Sequence, residues 1–162
     1  MINVTEPKLV ERGEQHYVAV RRTVKMGELG TVLPPLIGDV FGWLGVKGVE
    51  PSGAAFWRYN IVDMENGLEV DVSVPVASAV KGEGEVIADS LPAGTYATML
   101  HIGHPDELEQ ATAHLLAWAE KNNIKWKMNG ERWGGRVEWY FSGPDIEPDM
   151  TKWETELAFL TA

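Results

Sequence analysis

A carboxylate and a phenol stand two positions apart in Arg136-Val137-Glu138-Trp139-Tyr140, and an indole and a phenol are spaced the same way in Trp57-Arg58-Tyr59. In an extended strand that spacing puts Glu138 with Tyr140, and Trp57 with Tyr59, on one face. Aromatic faces attract organic cations by about 0.5–2 kcal/mol per contact. A carboxylate beside a phenol also has the equipment for general acid–base work. In Trp153-Glu154-Thr155-Glu156-Leu157-Ala158-Phe159-Leu160 the same alternation puts Glu156 with Ala158 and Leu160. A carboxylate in apolar surroundings needs a cation or hydrogen bonds. The cation is either a ligand's positive charge or a nearby Arg. The chain carries 7 Trp, more than packing ordinarily calls for. Trp133, in the Gly-flanked run Asn129-Gly130-Glu131-Arg132-Trp133-Gly134-Gly135, is a candidate mobile lid. Tyr17 and Tyr96 either line a groove or cap the sheet, whereas Trp118 and Trp43 read as core.

Charge narrows the partners. With 14 basic and 24 acidic residues the net charge is −10, which argues against a phosphate-binding surface and so against direct nucleic-acid contact. There is no Cys, so disulfides, thiolate zinc sites and Cys nucleophiles drop out. His101-Ile102-Gly103-His104 with Asp106 is a weak metal pattern lacking a firm third ligand, and His104 before Pro105 reads as a helix entry. No glycine motif cradles a phosphate. No cofactor and no metal is expected. The start of the chain has no charged-then-apolar leader, and no apolar run reaches the ~18 residues of a membrane span. A soluble, cytoplasmic protein without a membrane partner is the expectation.

The positioning elements read as one unit written twice. A strand is predicted over residues 15–25, then a helix over 36–44 behind Pro34 and Pro35 and closed by Gly45 and Gly48. Strands follow over 54–62 and 68–76, joined by a turn containing Asn66-Gly67. After a Gly- and Glu-rich linker at 81–85 come a strand over 95–102 and a helix over 105–122. That helix has Asp106 and Glu107 at its positive end and an apolar stripe of Leu108, Ala111, Leu115, Trp118 and Ala119. Strands at 136–142 and 152–161, separated by a Pro-rich turn at 143–148, complete the second copy. Order alone matches Tyr17 with Tyr96, Tyr59 with Tyr140 and Asp71 with Glu156. Each half by itself makes a marginal core. The expectation is therefore a single α+β domain, residues 1–162, with halves of about 15–80 and 86–162. The duplicated strand-helix-strand-strand module forms one antiparallel sheet bearing two main helices and a central groove.

Gly94-Thr95-Tyr96-Ala97-Thr98-Met99-Leu100-His101-Ile102-Gly103, then Asp106-Glu107-Leu108, Leu115-Leu116-Ala117-Trp118-Ala119, Arg136-Val137-Glu138-Trp139-Tyr140 and the run Trp153 to Leu160 together resemble the GyrI-like small-molecule-binding domain. Such domains also serve as effector-binding domains of AraC-type and multidrug-sensing MerR-type transcription regulators. The resemblance implies a groove between the halves for bulky, often cationic aromatic compounds, faced by an acidic residue on the last strand, here Glu156. It differs at the end of that strand, where the family's apolar-Pro pair is replaced by Phe159-Leu160-Thr161-Ala162.

On this reading the ligand-binding candidates are Glu156, Trp57, Tyr59, Tyr140, Trp133, Glu138 and Tyr96. The resemblance also implies an alternative: some stand-alone relatives are hydrolases that open the cyclopropane ring of alkylating toxins. In that case Glu156 or Glu138 would position or deprotonate water, and Tyr140 or a Trp would orient the electrophile. A further implication is protein interaction, since the family's namesake inhibits DNA gyrase by contact. Only residues 1–14 precede the first expected strand, which leaves no room for a helix-turn-helix. A stand-alone binder of a small organic ligand is the favoured expectation.

Overall fold

Period-2 runs rich in Val, Tyr and Thr become strands, and the two apolar-striped segments become helices. The computed structural model describes residues 2–143 and 146–162. In chain order the elements are β1 (Asn3–Val4), β2 (Lys8–Arg12), β3 (Gln15–Val24), α1 (Leu29–Val32), α2 (Pro34–Lys47), β4 (Phe56–Asp63), β5 (Gly67–Pro75), β6 (Val86–Leu91), β7 (Gly94–Ile102), α3 (Leu108–Lys121), β8 (Met128–Asn129), β9 (Arg132–Trp133), β10 (Arg136–Tyr140) and β11 (Glu154–Leu160). The strands form one antiparallel, curled sheet with the order β1-β7-β11-β10-β4-β5-β3-β6, and β2 continues the β1 edge along β7. This is the expected α+β class, with a sheet carrying helices on one face.

The leading strands, β2 and β6, were not expected from sequence. Each is short and of mixed composition, and its pairing is long-range. β2 runs directly into β3 yet pairs with β7, while β6 runs into β7 yet pairs with β3. The two halves are thereby laced together at both sheet edges. The expected linker at 81–85 is consequently followed by a strand. The Pro-rich turn expected at 143–148 includes Pro144 and Asp145, which lie outside the described residues.

Pairing register fixes which side chains share a face. Met99, Leu157, Glu138, Trp57, Val72 and Val20 stand in one row across β7, β11, β10, β4, β5 and β3. Both long helices cover this face. Leu115 and Ala111 of α3 pack on Ala97, Met99, Leu157 and Phe159, and Val40 and Leu44 of α2 pack on Val18, Val20 and Val74. Helix α2 has Gly38, Gly42 and Gly45 in its interior, each costing about 0.5–1 kcal/mol relative to Ala. Its stability therefore comes from burying Val40 and Leu44, and it ends on Gly48, whose φ of 69° suits a left-handed cap. The opposite, concave face closes over Tyr17, Ala19, Phe56, Leu91 and Val137.

Candidate functional site

Strands β4 and β10 meet at the centre of the sheet, between the ground covered by α2 and that covered by α3. There Trp57 stands opposite Glu138. Tyr59, two residues beyond Trp57, donates its phenolic hydrogen to Glu138 Oε1 at 2.9 Å. Tyr140, two residues beyond Glu138, donates to that same oxygen. The Trp57 ring sits edge-on to Tyr140, with centroids 5.1 Å apart. Thus Trp57, Tyr59, Glu138 and Tyr140 come together on one face, as alternation within each strand requires.

Glu138 is only 8% exposed, and no ion pair among the described residues includes it. Burial pushes its carboxyl above the ordinary carboxylate range, against the pull of the Tyr140 and Tyr59 hydrogen bonds, Arg136 and His101. Burial, and then the neighbouring Glu138 charge, also lift the Tyr59 and Tyr140 phenols well above their ordinary value, keeping them protonated donors. Both phenols use Oε1, and Oε2 receives no hydrogen bond among the described residues. The arrangement is a desolvated carboxylate held in place by neutral donors, with one oxygen free for a cation or a further donor.

The rest of the groove is built around this centre. On one flank His101, fully buried, lies in the row of Thr155 and Tyr140, and its Nε2 contacts Glu107 Oε1 at 2.9 Å. His104 caps the approach to α3, its Nδ1 accepting the Asp106 amide hydrogen at 3.0 Å. On the other flank Trp133 belongs to the small β8–β9 hairpin, not to an unstructured loop. It packs on Trp126 and Phe159 and under the Arg136 guanidinium, forming part of an aromatic wall.

Two candidates lie elsewhere. Glu156 stands opposite Trp139, on the concave face, and its Oε1 is 2.7 Å from an Arg12 Nη1. Grouping Glu156 with Trp57, Tyr59 and Tyr140 is corrected accordingly: odd and even positions of β11 face opposite sides of the sheet, and the helix-covered side takes Thr155, Leu157 and Phe159. Tyr96 is also on the concave face, donating to the Pro92 carbonyl at 2.7 Å. Tyr96, Trp139, Leu91 and Ala158 help line an open hollow of about 380 Å³ there. Arg136 and His101 were overlooked as groove residues; the alternation Arg136, Glu138, Tyr140 was the signal that places Arg136 beside the carboxylate.

The fold is thus an antiparallel sheet with two helices on one face, centred on a buried carboxylate ringed by aromatic side chains. Residues 5–159 match the GyrI-like small molecule binding domain, and the chain belongs to that family. Among solved structures it is similar to the EcmrR C-terminal domain, with 24% identity, a TM-score of 0.80 and 97% of each chain covered. It is also similar to SAV2435 bound to tetraphenylphosphonium, with 12% identity, a TM-score of 0.67 and coverage of 98% of this chain and 94% of that one. A hydrolase from Listeria innocua gives 11% identity, a TM-score of 0.67 and coverage of 97% and 92%. In a complex of EcmrR with DNA the chain spans 57% of the matching chain. These likenesses are of fold. No curated protein matches the sequence.

Proposed function

We propose that the groove between α2 and α3 binds a bulky aromatic compound carrying a positive charge, with Glu138 as its counter-ion and Trp57, Tyr59 and Tyr140 as its walls. The observation that carries this reading is that two phenols hold one oxygen of a buried carboxylate that makes no ion pair among the described residues. Desolvation makes that carboxylate costly to ionise, and an incoming cation offsets the cost while the aromatic faces add to the attraction. Tetraphenylphosphonium, the ligand in the SAV2435 structure, is the natural first probe. Its quenching of Trp fluorescence should saturate, and Glu138→Gln should weaken it by about 1.5–3 kcal/mol, roughly 10- to 150-fold. Equal affinity of the two proteins would overturn the assignment of Glu138.

A second reading is hydrolysis. A carboxyl held above its ordinary range beside two phenols is suited to taking a proton from water, and structural neighbours include hydrolases from Listeria innocua. Mass spectrometry of the recovered ligand separates the two. Binding predicts unchanged mass, and hydrolysis predicts the gain of one water.

A further inference from the structure

Arg136 is the one cationic side chain on the groove face of β10, two residues from Glu138. Its guanidinium is drawn aside, over the rings of Trp133 at 4.6 Å and Phe159 at 5.0 Å, Phe159 being its partner across the β10–β11 pairing. Burial lowers its pKa from the ordinary arginine value, against the pull of Glu138 and Tyr59. Yet none of the ion pairs among the described residues includes it, and no hydrogen bond from its side chain to a described residue is formed. Stacking occupies the faces of a guanidinium and leaves its N–H edge pointing outward in the plane, the edge that grips a carboxylate, sulfonate or phosphate with two parallel hydrogen bonds. Same-face neighbours on a strand are about 7 Å apart. The groove therefore holds two groups of opposite charge on one face that form no ion pair with each other, Glu138 being held by its phenols and Arg136 by its rings.

We propose that Arg136 is a specificity-determining residue for an anionic group, and that the preferred ligand is a zwitterionic aromatic compound. Its cation lies against Glu138 and its carboxylate, or a similar oxyanion, against Arg136. The inference rests on the groove reading above and sharpens the class of ligand it takes. It also accounts for a half-buried arginine on the same face as a cation-binding carboxylate.

The test uses two dyes that share a cationic xanthene ring: rhodamine B, which carries a free carboxylate, and its ethyl ester, which does not. Wild-type protein should bind the free acid at least about fivefold more tightly than the ester. Arg136→Gln should erase that preference by weakening the acid roughly tenfold and leaving the ester within about twofold. Arg136→Lys keeps the charge but loses the fork, and should fall between them; it decides the matter if Arg136→Gln does not fold. Absence of a preference in the wild type, or equal weakening of both dyes by Arg136→Gln or Arg136→Lys, would show that Arg136 only packs the aromatic wall. If the ester binds through Glu138 and the carboxylate makes no difference, this inference alone fails. If neither dye binds, or Glu138→Gln changes neither, the groove reading falls with it.

Discussion

The two faces of the sheet use the same chemistry to different ends. On the concave face Asp71 is fully buried, and it is completely paired. Arg21 grips it through Nε at 2.6 Å and Nη2 at 3.0 Å, and Tyr17 donates to it at 2.8 Å. Arg58 in turn donates to the Tyr17 hydroxyl at 3.0 Å and to the Ser90 carbonyl at 3.1 Å, tying β4 to β6. Glu156 follows the same rule with Arg12. On the helix-covered face Glu138 also has tyrosines, but its positive neighbour Arg136 is turned onto aromatic rings. A buried carboxylate given a protein cation is part of the scaffold, and the one given only neutral hydrogen-bond donors is the one we propose takes its cation from outside.

Removing the scaffold pair should have the largest effect. Asp71→Asn strands the Arg21 and Tyr17 donors and should cost about 2–4 kcal/mol in urea unfolding, somewhat below a fully buried pair because Arg21 retains contact with water. The affinity of the folded fraction for tetraphenylphosphonium should be unaltered. A stable Asp71→Asn protein with lost affinity would erase the contrast between the faces.

Next comes pH. The folded Glu138 carboxyl gives up its proton at a higher pH than the unfolded one. Between those two values the folded state holds more protons, so this group stabilises the protein at low pH and its contribution is lost as pH rises through the folded pKa. Glu138→Gln should remove that decline in a series of thermal melts. Cation binding runs the other way: affinity should fall as pH drops through the same raised pKa, and binding should expel a proton, seen as a buffer-dependent heat. A flat affinity profile would place the positive charge elsewhere.

The smallest effect is expected at the half-exposed pair. Arg12→Ala should cost no more than about 1 kcal/mol of stability, as read from denaturant midpoints. A larger loss would mean that the β2 edge depends on this contact.

The sequence carried much of this picture. Alternation alone put Glu138 with Tyr140 and Trp57 with Tyr59, and the α3 stripe and its acidic first turn were plain. Period 2 also separated Glu156 from Thr155 and Leu157 correctly. It could not say which side of the sheet the helices cover, because that depends on register between strands remote in sequence. The opposition of Trp139 and Glu156 supplies it. Arg12 escaped notice for a related reason: β2 is a short edge strand whose pairing with β7 is long-range, so the partner that neutralises Glu156 had no local signature. Gly130, Gly134 and Gly135 suggest a free loop around Trp133, whereas the segment pairs as a short hairpin whose Trp133 packs on Trp126 and Phe159.

The most direct test compares carboxylates from the two faces. Tetraphenylphosphonium should be titrated into the wild type, Glu138→Gln and Glu156→Gln under identical conditions, with folding confirmed by circular dichroism. The groove account predicts that Glu138→Gln loses most of the affinity and that Glu156→Gln stays within about twofold of wild type, since Glu156 answers to Arg12 on the other side of the sheet. The reverse pattern, with affinity lost in Glu156→Gln and retained in Glu138→Gln, would contradict it and move the ligand to the concave face.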